Sequence, residues 1–367
     1  MLDGLMSLFS FLIPKSAKRA FVVCGMEIAS NIISIKQLIP DAITVNFFRH
    51  RFHQHEYDHG PWPKWAHLIV GPWKLVYLAR CANIFIYNWE MGFAYDRAID
   101  FEYLKRKGKK IVQIHCGEDI RSHKLMGDYY RKIGWEDHTK HRWKMRALLR
   151  DPVAYEAHKK RNAEVTDKYA DVVFSKEIDN MSYLKSKIHN FFYLADPLDH
   201  PYDPKKFEDL SCPRIVHAPS SPSNKGTPLV RAAIERLKSE GYAFEYKELI
   251  GIPHSEVISS MASSHIVMNQ FYSFCHGTFG VEAMLSMNCM MTSADPQYTH
   301  ELYEGAEEAW VITHSTKVYE ELKGLLDQPE QIMTTAEKGR DYALRNFTLG
   351  PVKNYFQEVL KEEGLIK

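Results

Sequence analysis

Two segments constrain the fold of this chain more than any others. They are His217-Ala-Pro-Ser-Ser-Pro-Ser-Asn-Lys225-Gly226-Thr227 and Asn269-Gln270-Phe-Tyr-Ser-Phe-Cys-His276-Gly277-Thr278-Phe-Gly280-Val-Glu282. Each follows a short apolar run (214–217 and 265–268) and each leads into a helical pattern. A strand that runs into a small-residue loop opening a helix is the repeating unit of a parallel α/β sheet. The first turn of a helix carries unpaired N–H groups and the positive end of the dipole, so loops of this kind hold phosphate. Lys225 puts a cation at a helix start, which is unfavourable unless an anion is near. Glu282, inside the second helix, is an acceptor suited to sugar hydroxyls. Two phosphate-friendly helix starts and a hydroxyl-binding carboxylate imply a nucleotide-diphosphate sugar as ligand.

The same alternation runs the length of the chain. Strand-like runs occur at 20–24, 42–45, 84–87, 110–114 and 171–174, and again at 214–217, 244–250, 265–268, 289–291 and 309–312. Helical patterns fill the second series at 228–240, 255–263, 281–287, 315–328 and 329–346, with a last helix over 352–363. This order predicts βαβ units and parallel sheets. A chain of 367 residues exceeds one comfortable core, so two domains are expected. Asp196-Pro-Leu-Asp-His-Pro-Tyr-Asp-Pro204 breaks helix and strand alike and marks the linker. The expected domains are 1–200 and 201–351, with 352–367 packing back on the first. A long helical stretch over 122–170 carries His141, Arg142, Lys144 and Arg146. Such charges most often form a solvated face; the sharper reading is a surface for an anionic acceptor such as a lipid-linked diphosphate.

At these residues the chain resembles the retaining GT-B glycosyltransferases, the glycogen-synthase and mannosyltransferase-like kind. Lys225-Gly226-Thr227 is similar to the family's Lys-Gly step after its first donor-domain strand. Gly277 through Glu282-Ala283-Met284 is similar to its glycine loop and the second glutamate of its Glu-x7-Glu element. Ile111-Val-Gln-Ile-His115-Cys-Gly117-Glu-Asp119-Ile-Arg121 resembles the His-Gly-x-Asp acceptor-side loop of bacterial polysaccharide members. The resemblance covers residues 80–350. It implies an α/β GT-B fold, two Rossmann-like parallel-sheet domains facing across a cleft. It implies a metal-independent transferase that retains anomeric configuration and uses no cofactor beyond its nucleotide-sugar donor. The acceptor would be a glycan or a lipid-linked oligosaccharide in bacterial surface polysaccharide synthesis.

The resemblance also assigns roles. His115 would line the sugar pocket, Lys225 would neutralise the diphosphate and Glu282 would accept from the ribose. Gly25, Ser220, Ser221, Gly226, Ile252, His276, Gly277 and Thr278 would complete the donor site. Gly117, Asp119 and Arg121 would face the acceptor. Several of these residues have a second reading: His276 as structural, Asp119 as a helix cap, Arg121 as the partner of a neighbouring acid. The chain also departs from the family. Phe274 stands where the first glutamate would fall, Ser220 where a diphosphate-binding arginine would fall, and Met287-Asn288-Cys289 where Gly-Lys-Pro would close the helix.

A net charge of +1 provides no basic field, so nucleic acid is not an expected partner. The six cysteines include no Cys-x2-Cys pair, which argues against a zinc site or a secreted disulfide framework and for a cytoplasmic location. Residues 1–20 begin apolar and then gain Lys15, Lys18 and Arg19. They are too short to span a bilayer, and two readings stay open: peripheral contact at the inner face of the membrane, or packing on their own domain. Two alternatives to a transferase also stand. One is a sugar-nucleotide epimerase, which needs an acid–base carboxylate pair. The other is a degenerate, non-catalytic glycan-binding or partner subunit, for which Phe274 and Ser220 speak.

Overall fold

The computed structural model describes residues 20–28, 31–48, 55–140 and 151–367. The N-terminal segment before Ala20 and the residues His141, Arg142, Lys144 and Arg146 lie outside the described residues. The chain divides into two compact units. The first takes its described residues from Met1–Leu125, Pro152–Phe192 and Lys353–Lys367, the second from Met126–Asp151 and Tyr193–Val352. Among the described residues no helix is long and apolar enough to cross a membrane.

The first unit begins with β1 (Phe21–Gly25), α1 (Asn31–Leu38), β2 (Ile43–Asn46), α2 (Lys64–Cys81) and β3 (Ile84–Asn88). A short antiparallel pair, β4 (Met91–Gly92) and β5 (Tyr95–Asp96), leads into α3 (Arg97–Arg106) and β6 (Lys110–Ile114). Next is α4 (His123–Lys132), which belongs to the second unit from Met126 onward, and then α5 (Pro152–Tyr169), β7 (Val172–Ser175) and β8 (His189–Asn190) of the first. The six-stranded sheet has the order β2-β1-β3-β6-β7-β8, parallel throughout. Its strands are short runs of Val, Ile and Phe buried along almost their whole length, as expected where helices cover both faces. Gly25 ends β1 at φ 140°, and a Cβ there would lie 2.0 Å from the Asn88 carbonyl oxygen. Only glycine lets the two strand ends approach so closely. Late in the chain, Phe356 stacks on Phe174 at 5.6 Å and the Tyr355 hydroxyl donates to the Asn190 carbonyl at 2.9 Å.

The second unit contains β9 (Arg214–His217), α6 (Pro222–Lys225), α7 (Thr227–Ser239), β10 (Glu245–Glu248), α8 (His254–Ser263) and β11 (Ile266–Met268). It continues with α9 (Gly277–Leu285), β12 (Cys289–Thr292), α10 (Ala306–Ala309), β13 (Val311–Ile312), α11 (Val318–Asp327), α12 (Glu330–Phe347) and the start of α13 (Leu349–Glu362). Its sheet has the order β10-β9-β11-β12-β13 and is also parallel. Ile215, Ile234, Leu237, Met268, Met291 and Leu322 belong to its core.

The stretch expected to be helical over 122–170 holds α4 and α5, and one helix start needs correction. Helix α4 stops at Lys132 in a Schellman arrangement. Gly134 adopts φ 74°, its N–H donates to Arg131 at 3.2 Å, and the Trp135 N–H donates to Tyr130 at 2.9 Å. The helix expected from Val281 begins four residues earlier, at Gly277 itself.

Candidate active site

In the second unit β9 lies between β10 and β11, so the chain switches direction across the sheet at the β9–β11 boundary. Open parallel sheets bind ligands beyond the carboxyl ends of the strands at such a switch point. The loops leaving β9 and β11 are the two segments that dominate the sequence.

His217 closes β9 and is fully buried. Its Nδ1–H donates to the Met268 carbonyl at 2.6 Å, and its Nε2 accepts from the Thr227 hydroxyl at 2.8 Å. Burial pushes its pKa down to about 4, so the ring is neutral and its tautomer fixed. One imidazole thus ties the ends of β9 and β11 to the first turn of α7. Ser220 is exposed and Ser221 partly so, and Pro222 after them starts the single turn α6. Gly226 then reverses the backbone at φ 78°, where a Cβ would press on Phe271 at 3.2 Å, and α7 opens with no side-chain cap. Lys225 donates from Nζ to Gln270 Oε1, and Gln270 donates from Nε2 to the Cys275 carbonyl. The Phe271 N–H completes the link to the Lys225 carbonyl at 3.2 Å. Through Gln270 the cation beside the first helix start is fixed to the loop that carries the second.

That second start is Gly277 at φ 67°, and again no side chain caps the helix. Thr278 is half-buried beside it. The His276 ring packs against Tyr193, Trp310 and Phe347 at centroid distances of 5.0, 5.6 and 5.0 Å, so the ring serves the core of the unit. Gly280 is tight as well: a Cβ would meet His276 at 2.8 Å and Met290 at 3.0 Å. Glu282 is 9% exposed, and Oε1 accepts from His254 Nε2 at 2.9 Å. The hydrogen bond to Glu282 raises the pKa of His254. Ile252, two residues before His254, is half-buried.

In the first unit the loop after β6 is held by its own side chains. His115 has none of its surface exposed; Nδ1–H donates to Asp119 Oδ2 at 2.6 Å, and Nε2 meets Thr166 Oγ1 at 3.1 Å. Asp119 Oδ1 accepts from the N–H groups of Cys116 and Gly117 at 3.0 and 2.8 Å. Burial opposes ionisation of Asp119, but His115, the Gly117 amide and Arg97 outweigh it and hold the carboxyl below its ordinary range. Burial pulls His115 down, so a neutral imidazole faces an ionised carboxylate. Asp119 therefore braces its own loop and does not cap α4. Arg121 is engaged on every side: with Glu118 at 2.8 Å, Asp179 at 2.7 Å and the Asp179 carbonyl at 2.5 Å. Gly117, at φ 153°, leaves room for the Arg121 guanidinium, which a Cβ would meet at 3.4 Å. As placed, His115, Asp119 and Arg121 offer no open hydrogen-bonding surface, because their polar groups are spent on each other and on neighbours. Beside Gly25, at the carboxyl ends of β1 and β3, the buried Asn88 joins the part-buried Asn31 and Cys116: Asn31 Nδ2 lies 3.3 Å from Asn88 Oδ1 and 3.2 Å from Cys116 Sγ.

Phe274, at the position where the family carries a glutamate, is completely buried. It stacks on Tyr130 at 5.0 Å and on Trp135 at 5.4 Å, with Tyr129 edge-on at 5.4 Å. Trp135 in turn lies 4.3 Å from His314, whose Nε2 is 2.8 Å from Asp295 Oδ2. The pairings of Gln270 with Lys225, Thr227 with His217 and His254 with Glu282 are what reading the motifs did not show. Gln270 and Thr227 are visible in sequence only as ordinary polar residues in the loops, and His254 stands 28 residues from Glu282. Among the described residues, no three His, Cys, Asp or Glu side chains converge as a metal site would require.

The whole chain is similar in fold to several solved structures. Sucrose-phosphate synthase from Thermosynechococcus elongatus is 11% identical, with 94% of this chain and 99% of that one covered and a TM-score of 0.61. The catalytic domain of starch synthase IV from Arabidopsis thaliana, bound to ADP and acarbose, is 9% identical over 95% and 99% of the two chains, with a TM-score of 0.60. WaaG, a glycosyltransferase involved in lipopolysaccharide biosynthesis, is 12% identical over 94% and 100%, with a TM-score of 0.56. At these identities the likeness is one of fold, and the fold is GT-B. No protein-family model matches the sequence, and no curated protein matches it.

Proposed function

We propose that this chain is a glycosyltransferase that takes a sugar from a nucleotide-diphosphate sugar and passes it to a glycan or lipid-linked acceptor in bacterial surface polysaccharide synthesis. The observation that carries the reading is the pair of uncapped helix starts, α7 and α9, at the switch point of the second sheet, with Lys225 fixed beside them by Gln270. Backbone N–H groups and the dipole ends of these helices receive the diphosphate, with Ser220, Ser221, Gly226, Gly277 and Thr278 lining its path. Lys225 stabilises the negative charge that grows on the leaving diphosphate as the glycosidic bond breaks, the role a metal ion fills elsewhere. Glu282 accepts from the ribose hydroxyls, and His254 orients its carboxylate. Ile252 and its neighbours frame the base. The incoming hydroxyl approaches on the face that the diphosphate leaves, which retains configuration. The loop braced by His115, Asp119 and Arg121 supports the acceptor side through Gly117 and Cys116. The GT-B fold supports this reading, and so does the ADP and acarbose held by the starch synthase domain that shares it.

A second reading, a nucleotide-binding subunit without transfer activity, rests on Phe274: where a carboxylate would hold sugar hydroxyls, the chain has a ring closed in by Tyr130 and Trp135. Turnover across a panel of nucleotide sugars, with wild type, Lys225→Ala and Glu282→Ala, separates the two. Donor hydrolysis or transfer that both variants lose supports the transferase. Nucleotide binding with no turnover on any donor or acceptor supports the second reading.

A further inference from the structure

Helix α2 is apolar on both of its faces. Its inner face is firmly seated: Leu75, Val76, Leu78 and Ala79 join the core of the first unit, and Gly71 comes so close to the Phe93 carbonyl that a Cβ would lie 2.1 Å from it. His67 adds a hydrogen bond from its ring to Gly92 at 3.1 Å. The outer face carries Trp65, Leu68, Ile69 and Trp73, which are 73%, 63%, 73% and 44% exposed. Their spacing of three, four and eight residues from Trp65 puts them on one stripe. Among the described residues they are four of the ten exposed large hydrophobic side chains and include both exposed tryptophans. Singly exposed apolar residues are ordinary; a contiguous stripe of large ones marks an interaction surface.

The charges on the helix decide the kind of partner. The sequence from Lys64 to Cys81 contains Lys64, Lys74 and Arg80 and no aspartate or glutamate. Lys74 sits over the Trp73 and Tyr77 rings at 5.6 and 5.4 Å, at the border of the stripe. A helix with tryptophans and aliphatic side chains on its outer face and only positive charge in its own sequence has the composition of an interfacial membrane helix. The tryptophans suit the headgroup level, and the cations suit anionic lipid.

We infer that the outer face of α2 docks the protein on an anionic lipid surface, lying in the interface with Trp65, Leu68, Ile69 and Trp73 in the acyl boundary. The inference does not depend on the transfer reaction. It also differs in place from the N-terminal segment, which lies outside the described residues.

The test is co-sedimentation of the full chain with phosphatidylcholine vesicles, with and without phosphatidylglycerol. Wild type is compared with Trp65→Ser/Ile69→Ser/Trp73→Ser and with Lys64→Glu/Lys74→Glu. Trp65 and Ile69 face solvent and Trp73 gives up a stack on Tyr77 at 6.2 Å, so the triple variant stays folded at the assay temperature, as its melt verifies. Wild type binds the anionic vesicles, and the triple variant binds them at least about tenfold more weakly, since buried apolar area sets the strength of interfacial binding. The charge variant loses the preference for phosphatidylglycerol. Equal binding by wild type and the triple variant overturns the inference and moves the contact to another segment. So does equal binding to neutral and anionic vesicles, or absence of binding by wild type. Self-association of wild type that the triple variant abolishes, without vesicle binding, overturns it in favour of pairing between copies.

Discussion

Replacing Phe274 by alanine tests whether this position packs or binds. The ring is fully buried, stacked on Tyr130 and Trp135 with Tyr129 against its edge. Truncating a buried phenylalanine costs about 3–5 kcal/mol, of which the aromatic pairs account for roughly 0.5–1.5 kcal/mol each. Three such pairs meet at this ring, so the upper half of the range applies. For a unit of this size each kcal/mol lowers Tm by about 2–4 °C, which gives a drop of roughly 8–20 °C. The drop is read by calorimetry. Nucleotide affinity, read by titration calorimetry well below the lowered Tm, stays within about twofold of wild type, because the ring contributes packing and no ligand contact. An unchanged Tm together with a loss of nucleotide or donor binding would refute this account of position 274 and make Phe274 part of the ligand pocket.

Thr227→Val removes the hydroxyl that His217 Nε2 accepts from at 2.8 Å and strands a buried ring nitrogen. It is expected to cost about 1–3 kcal/mol in a denaturant melt, whereas Thr227→Ser costs less than half of that. The His254–Glu282 pair gives a pH dependence. The hydrogen bond to Glu282 raises the folded pKa of His254 above its ordinary value of about 6.5, so the pair's contribution to stability is complete below about pH 6.5 and fades as pH rises through the folded pKa. His254 is partly exposed, so the effect is small; the Tm gap between wild type and His254→Gln is largest at pH 5.5–6 and closes by pH 8–9. A gap that widens with pH would contradict the assignment.

Much of the second unit was legible in its sequence, for a physical reason. The runs at 214–217, 265–268 and 289–291 are short, apolar and bounded by small-residue loops, and buried parallel strands read that way. Gly226 and Gly277 signal their turns because both adopt positive φ. The first unit was harder to read. Helix α2 shows no amphipathic period, since both of its faces are apolar, and Pro72 lies inside it. The loop after β6 displays His115, Asp119 and Arg121 as if for a ligand, but their partners Thr166, Asp179 and Asn180 come from distant parts of the chain. The same is true of Phe274: that Met126–Asp151 belongs with the second unit is a long-range fact, and Tyr130 reaches Tyr272 across 142 residues. Local pattern shows where a loop stands and what it could hold. Whether its polar groups remain open is decided by residues that pattern does not bring together.

The most direct test of the central claim is titration calorimetry of nucleoside diphosphates and their sugar conjugates against wild type, Lys225→Ala and Glu282→Ala. The account predicts that wild type binds at least one of them. It also predicts that Lys225→Ala weakens diphosphate binding far more than nucleoside binding, and that Glu282→Ala weakens both by at least about tenfold. Affinity that is unchanged in both variants, or no binding by wild type across the panel, would contradict it.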